Sequence, residues 1–150
     1  MVERAVISML NHLIETCRNG EMGYWNAAEH VQDAGIKSMF QSIARKRGQF
    51  ADELKQEVQR LGGAPDEGGT VAGALHRGWM DMKSVVTSRD DASIIAEAER
   101  GDESAIKAYE TTLRTALPSP TQSIVDRQYK QVKEAHDRVE ALEQEWRGRG

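Results

Sequence analysis

Ile36, Phe40, Ile43, Phe50, Leu54, Val58 and Leu61 recur at steps of three and four residues, with one place left open between Ile43 and Phe50. This is the spacing of one face of an α-helix. Arg47 stands in the open place. A guanidinium on a buried seam is expensive unless an acceptor opposite pairs with it. Three further segments repeat the pattern. Leu10, Ile14, Cys17, Tyr24, Ala28 and Val31 form a seam interrupted at Glu21. Ile95, Ala98, Ala105, Tyr109, Thr112 and Ala116 form one interrupted at Asp102, and Val125, Tyr129, Val132, Val139, Leu142 and Trp146 one interrupted at His136.

The heights of these interruptions agree. Helices joined by a short turn run antiparallel. Glu21 lies about as far before the turn near Ala34 as Arg47 lies after it, and Asp102 and His136 flank Pro118 at similar distances. The pattern predicts four helices around one buried polar layer of Glu21, Arg47, Asp102 and His136.

Glycine and proline gather at the junctions and alternating β-branched runs are missing, so the chain reads as all-α. Its 150 residues suit a single domain, with helices expected over 3–32, 35–61, 70–87, 90–116 and 119–146. Gly20 and Gly23 fall inside the first helix because its seam continues in phase beyond them. Small residues there admit a neighbouring backbone or side chain. Gly62 reads as a helix C-terminal cap. The glycine-rich stretch after it lacks the spacing of a phosphate loop and follows a helix rather than a strand.

A helix over 70–87 runs about 27 Å. With its linker it is long enough to travel the length of a bundle, and the next long helix is expected to begin at the same end as the first. The expected architecture is an up-down four-helix bundle with one long crossover containing an extra short helix. Asp90 and Asp91 place negative charge at a helix start, and Ser119-Pro120 provides a cap and a first helical position. The tail from Arg147 is expected to fray.

The net charge is -4, and no face carries a Lys/Arg stripe with interleaved aromatics, which argues against a nucleic-acid partner. No apolar run is long enough for a bilayer, and the first ten residues lack the features of a secretory signal. The single Cys17 lies on a seam and reads as a buried structural thiol. A cytoplasmic setting is expected. Trp25 reads as a packing residue off the main seam, and the Glu97-Glu99-Arg100 and Arg45-Lys46 groups as solvated faces.

Four stretches carry a family resemblance: LNHLIETCRNGEMGYWNAAEHV, GTVAGALHRGWMDMK, ERGDESAIKAYE and QVKEAHDRV. Together they resemble a bacterial family of four-helix-bundle proteins of unknown function in the ferritin-like superfamily. The resemblance runs from about Leu10 to Leu142. More distantly, FQSIARKRGQFADEL looks like the second helix of rubrerythrin-type proteins, and VKEAHDRV like their fourth. Such bundles hold two irons with a Glu on each of two helices and Glu-x-x-His on the other two.

The resemblance maps those ligand positions onto Arg47 and Phe50, onto Lys133 and His136, onto Asp102, and onto Glu21 with Glu15 as a rival. Arg47, Phe50 and Lys133 are not ligands, so the expected site is a degenerate di-iron site without ferroxidase, peroxidase or oxygenase activity.

Two readings of the layer follow. In the first it is structural: Arg47 bonds Asp102 or Glu21, His136 bonds the remaining carboxylate, and no cofactor is expected. The protein would then be a non-enzymatic structural or interaction protein, with a homodimer as its expected assembly. In the second, Glu21, Asp102 and His136 hold a single Fe or Mn ion, as two carboxylates and an imidazole do in facial-triad sites. Proton transfer between Glu21 and His136 is a third chemistry this layer allows, with no substrate pocket indicated.

Overall fold

A computed structural model describes residues 2–65 and 90–149. The helix expected over 70–87 lies outside the described residues. Four helices account for most of the rest: α1 (Val2–His30), α2 (Ala34–Arg60), α3 (Asp91–Leu113) and α4 (Ser119–Arg149). Among the described residues there is no strand. The fold is an all-α four-helix bundle.

The ends of the helices follow from their sequences. α1 runs unbroken through Gly20 and Gly23. Asp33 caps α2, its Oδ1 accepting from the Ile36 amide at 3.0 Å. α2 begins at Ala34, one residue before its expected start at 35. At the far end Gly62 adopts φ 87°, a left-handed conformation that favours glycine. The Gly62 amide donates to Gln59 O at 3.0 Å and the Gly63 amide to Val58 O at 2.9 Å, the paired bonds of a Schellman motif.

Asp90 caps α3 through the Ala92 amide. α3 stops at Leu113 rather than running to 116, and Ala116 is exposed. α4 continues through Arg149, so the tail expected to fray is helical, with Arg147 bonded to Glu143 one turn before it.

α1 pairs with α2, α3 with α4, α1 also packs on α3, and α2 touches α4 more sparsely. α2 and α3 therefore lie on a diagonal of the bundle. The apolar side chains form two clusters. Tyr24, Phe40, Ile43, Ile95 and Val139 belong to the one at the α1–α2 turn. Leu10, Ile14, Phe50, Leu54 and Val125 belong to the other. Arg47 and Asp102 lie between them along α2 and α3.

α3 starts at the opposite end of the bundle from the one expected. The carboxylate of Asp91, the first residue of α3, accepts from the Gln32 and Asp33 amides at 2.9 and 3.0 Å. α3 therefore begins beside the α1–α2 turn, where α1 ends, and not where α1 begins. The 27 residues of α2 span about 40 Å. The chain between Arg60 and Asp91 must return over that distance, which is what makes the connection a long crossover.

Asp91 thus ties the turn to α3. Asp91→Ala is expected to leave two turn amides without their acceptor and to lower stability by about 1–3 kcal/mol. Thermal melts read the loss, and hydrogen exchange should quicken first at Gln32 and Asp33.

Candidate functional site

Arg47 is the largest fully buried side chain among the described residues. Its Nη1 donates to Asp102 Oδ1 at 2.5 Å and its Nη2 to Asp102 Oδ2 at 2.8 Å. Tyr24 on α1 donates its hydroxyl to the same Oδ2 at 2.8 Å. The guanidinium carbon lies 5.5 Å from the centre of the Tyr24 ring. Asp102 is 0 % and Arg47 1 % exposed, so the pair is dry and bidentate.

Gly20 makes this possible. A Cβ there would stand 3.1 Å from Arg47 Nη1. The missing side chain on α1 leaves the path by which Arg47 reaches across the bundle from α2 to α3.

Electrostatics fix the protonation states. Burial works against the charge of Arg47, but the field and hydrogen bonds of Asp102 outweigh it and raise its pKa further. Burial, and then the Asp102 charge, pushes the Tyr24 hydroxyl well above its usual range. Tyr24 stays a donor at every ordinary pH.

Toward the other end of the bundle a second polar chain joins all four helices. Cys17 Sγ lies 3.1 Å from the Tyr109 hydroxyl, which donates to Gln128 Oε1 at 2.7 Å. Gln128 Nε2 donates to Glu53 Oε1 at 2.8 Å and to Phe50 O at 3.3 Å. Burial pushes the Cys17 thiol up to about 11. A thiol held protonated in this way is a poor nucleophile. The amide of Asn19, also buried, has no hydrogen-bond partner on either atom, and nothing in the structure explains it.

Of the four residues expected in one layer, the structure brings Arg47 and Asp102 together and places the other two elsewhere. Glu21 is half-buried on the flank of α1, its Oε1 3.0 Å from Arg18 Nη1. Its carboxylate lies over Gly48, where any Cβ would collide with it. Gly20, not Glu21, holds the core position of that turn. Glu15, the rival for Glu21, is likewise half-buried.

His136 faces α3, with Nε2 3.3 Å from Glu99 Oε1. On α4 the buried residues are Thr121, Val125, Gln128, Val132, Ala135 and Val139, which alternate steps of four and three. Ala135 takes the core position and His136 falls beside it.

Glu99, expected on a solvated face, is half-buried against that imidazole. Burial and then the neighbouring Glu103 raise its pKa. Gln128 is the other residue that the apolar seam hid. Its signal was the same four-three alternation, with a glutamine where an apolar residue belongs.

Beside Arg47, between α2 and α4, lies a cavity of about 170 Å³ whose lining includes Lys46, Phe50, Glu134 and Arg138. Small-molecule sites usually offer roughly 300–1,000 Å³.

Residues 5–115 match a family described as a domain of unknown function, DUF2383. The chain belongs to this family. No curated protein matches the DUF2383 chain in sequence. Among solved structures it is similar to a mutant of Mycobacterium smegmatis Dps1, with a TM-score of 0.79 and 16% identity over 94% of this chain and 96% of that one. At that identity the likeness establishes the ferritin-like fold. None of the described helices of the DUF2383 chain is long and apolar enough to cross a membrane.

Two outcomes follow from the site. Arg47→Ala should strand the buried Asp102 carboxylate and cost about 3–5 kcal/mol, whereas the joint replacement Arg47→Met, Asp102→Leu and Tyr24→Phe, which also removes the hydroxyl that donates to Asp102, should be near neutral or stabilising. Denaturant melts of the three proteins make the comparison. The second outcome concerns alkali. An unfolded thiol ionises near 9.0 and the folded Cys17 only near 11, so the folded state keeps its proton between those values. Stability is full below pH 9 and declines as pH rises through that window. Urea melts of Cys17→Ala, under reductant from pH 8 to 11, should show a shallower decline than wild type. An equal slope would remove Cys17 as its source.

Proposed function

We propose that this chain is a non-enzymatic, ferritin-like structural or interaction protein whose centre is held by an ion pair in place of a di-iron site. One observation carries the reading. Both carboxylate oxygens of Asp102 are engaged by Arg47 and Tyr24 in a fully buried position. Rubrerythrin-type irons need carboxylates and imidazoles converging on that space. This chain supplies Arg47 and Phe50 on α2, and the guanidinium puts a fixed positive charge where a metal cation would sit. These residues do not fit a di-iron centre.

The set of Glu21, Asp102 and His136 gains no support as a ligand group for Fe or Mn. Among the described residues, the one cluster of carboxylate and imidazole groups close enough to share an ion contains neither Glu21 nor Asp102. The small cavity beside Arg47 likewise favours a structural role over catalysis. Self-association as a homodimer in a cytoplasmic setting belongs to the same proposal.

The test is aerobic addition of Fe(II) to the full chain, followed by absorbance of the ferric product. Oxidation should proceed at the rate of buffer alone. Protein-dependent oxidation that disappears in Asp102→Ala would overturn the reading. Sedimentation equilibrium on the same sample reads association, and a single-chain mass would count against the dimer.

A further inference from the structure

A second group of ionisable side chains lies on the α3–α4 seam, apart from the central pair. His136 and Glu140 are one turn apart on α4, and Glu99 faces them from α3. One ligand atom from each lies within 4.8 Å of the other two. His136 Nε2 is buried and makes no hydrogen bond, although Glu99 Oε1 is only 3.3 Å away. The imidazole as a whole is 12 % exposed. A ring nitrogen removed from water that makes no hydrogen bond, even with a carboxylate in ion-pair range, is uncommon in a folded protein.

The short distance to Glu99 therefore lacks the direction of a hydrogen bond, while the Glu140 carboxylate comes within 4.8 Å of a donor atom of each of the other two residues. Glu103 and Glu143 add further negative charge around Glu99. An imidazole nitrogen and two carboxylates brought this close are best satisfied by a cation between them.

We infer that Glu99, His136 and Glu140 form a binding site for one divalent first-row transition ion, of which Zn²⁺ and Mn²⁺ are the working examples. The imidazole favours such ions over Mg²⁺ and Ca²⁺, whose preferred ligands are all oxygen. The two carboxylates neutralise the charge of the ion. Residues four apart on a helix share a face, so α4 presents two donors together. Glu140 is exposed, which leaves coordination positions open to water. The site uses none of Glu21, Arg47 or Asp102, and it does not depend on the reading of the central pair.

The test is calorimetric titration of the chelator-stripped full chain with Zn²⁺ and, separately, Mn²⁺, with Mg²⁺ as control. Wild type should take up one transition ion per chain, at least tenfold more tightly than Mg²⁺. Glu140→Gln changes an exposed residue and should weaken binding at least tenfold with the helical circular dichroism unchanged. His136→Gln should abolish it, and Glu21→Gln should leave it as in wild type. Absence of a stoichiometric ion in wild type overturns the proposal. So does binding that survives Glu140→Gln and His136→Gln, which would place the ion on other groups. Loss of binding in Glu21→Gln alone would move the ion to the flank of α1 and overturn the proposal.

Discussion

One full positive charge stands out of water in the middle of this bundle, and the surrounding architecture accommodates it. Removing an ion from water costs several kcal/mol even after relaxation. Asp102 offsets that cost through two parallel hydrogen bonds, and Tyr24 satisfies the same carboxylate from a third helix. The pair also joins α2 to α3 across the diagonal. Adjacent helices are tied by interlocking side-chain ridges, but helices on a diagonal have no such contact. Arg47 and Asp102 act as a strut that fixes the cross-section of the bundle, and Gly20 leaves the passage through which the strut runs.

The Cys17–Tyr109–Gln128–Glu53 chain does similar work at another height, with neutral groups at its middle. Polar layers of this kind fix which residues stand opposite one another, because sliding any helix by a turn would bury unpaired groups. One such layer between the two apolar clusters and one inside the second make register, more than raw stability, their contribution. Neither layer offers a reactive nucleophile, since burial holds the Cys17 thiol and the Tyr24 and Tyr109 hydroxyls protonated.

Much of the fold was legible in the spacing of apolar residues. The seams of α1 and α2 are buried almost residue for residue, and Arg47 and Asp102 were recognisable as polar residues in apolar places. The errors share one physical origin. A helical seam is wider than a single residue, so a polar side chain next to the true core position reads like one within it. Gly20 hid the core position beside Glu21, and Ala135 hid the one beside His136. The partners of a polar residue are harder still to read, because they depend on which helices are neighbours and which are diagonal. The end at which α3 begins was misjudged for a related reason. The deciding contact, Asp91 on the Gln32 and Asp33 amides, is a tertiary hydrogen bond that no periodicity records.

The long return between α2 and α3 divides assembly into two kinds of event. The hairpins α1–α2 and α3–α4 close over short turns, and such local contacts form quickly. Bringing them together joins hairpins separated in the chain by residues 61–90, a non-local and therefore slower step. Arg47 lies in one hairpin and Asp102 in the other, so neither charge meets its partner until the hairpins have docked. Before docking both ions are better left in water, which discourages either hairpin from collapsing on its own. The ion pair therefore belongs to the docked bundle alone: only there can both charges be buried together.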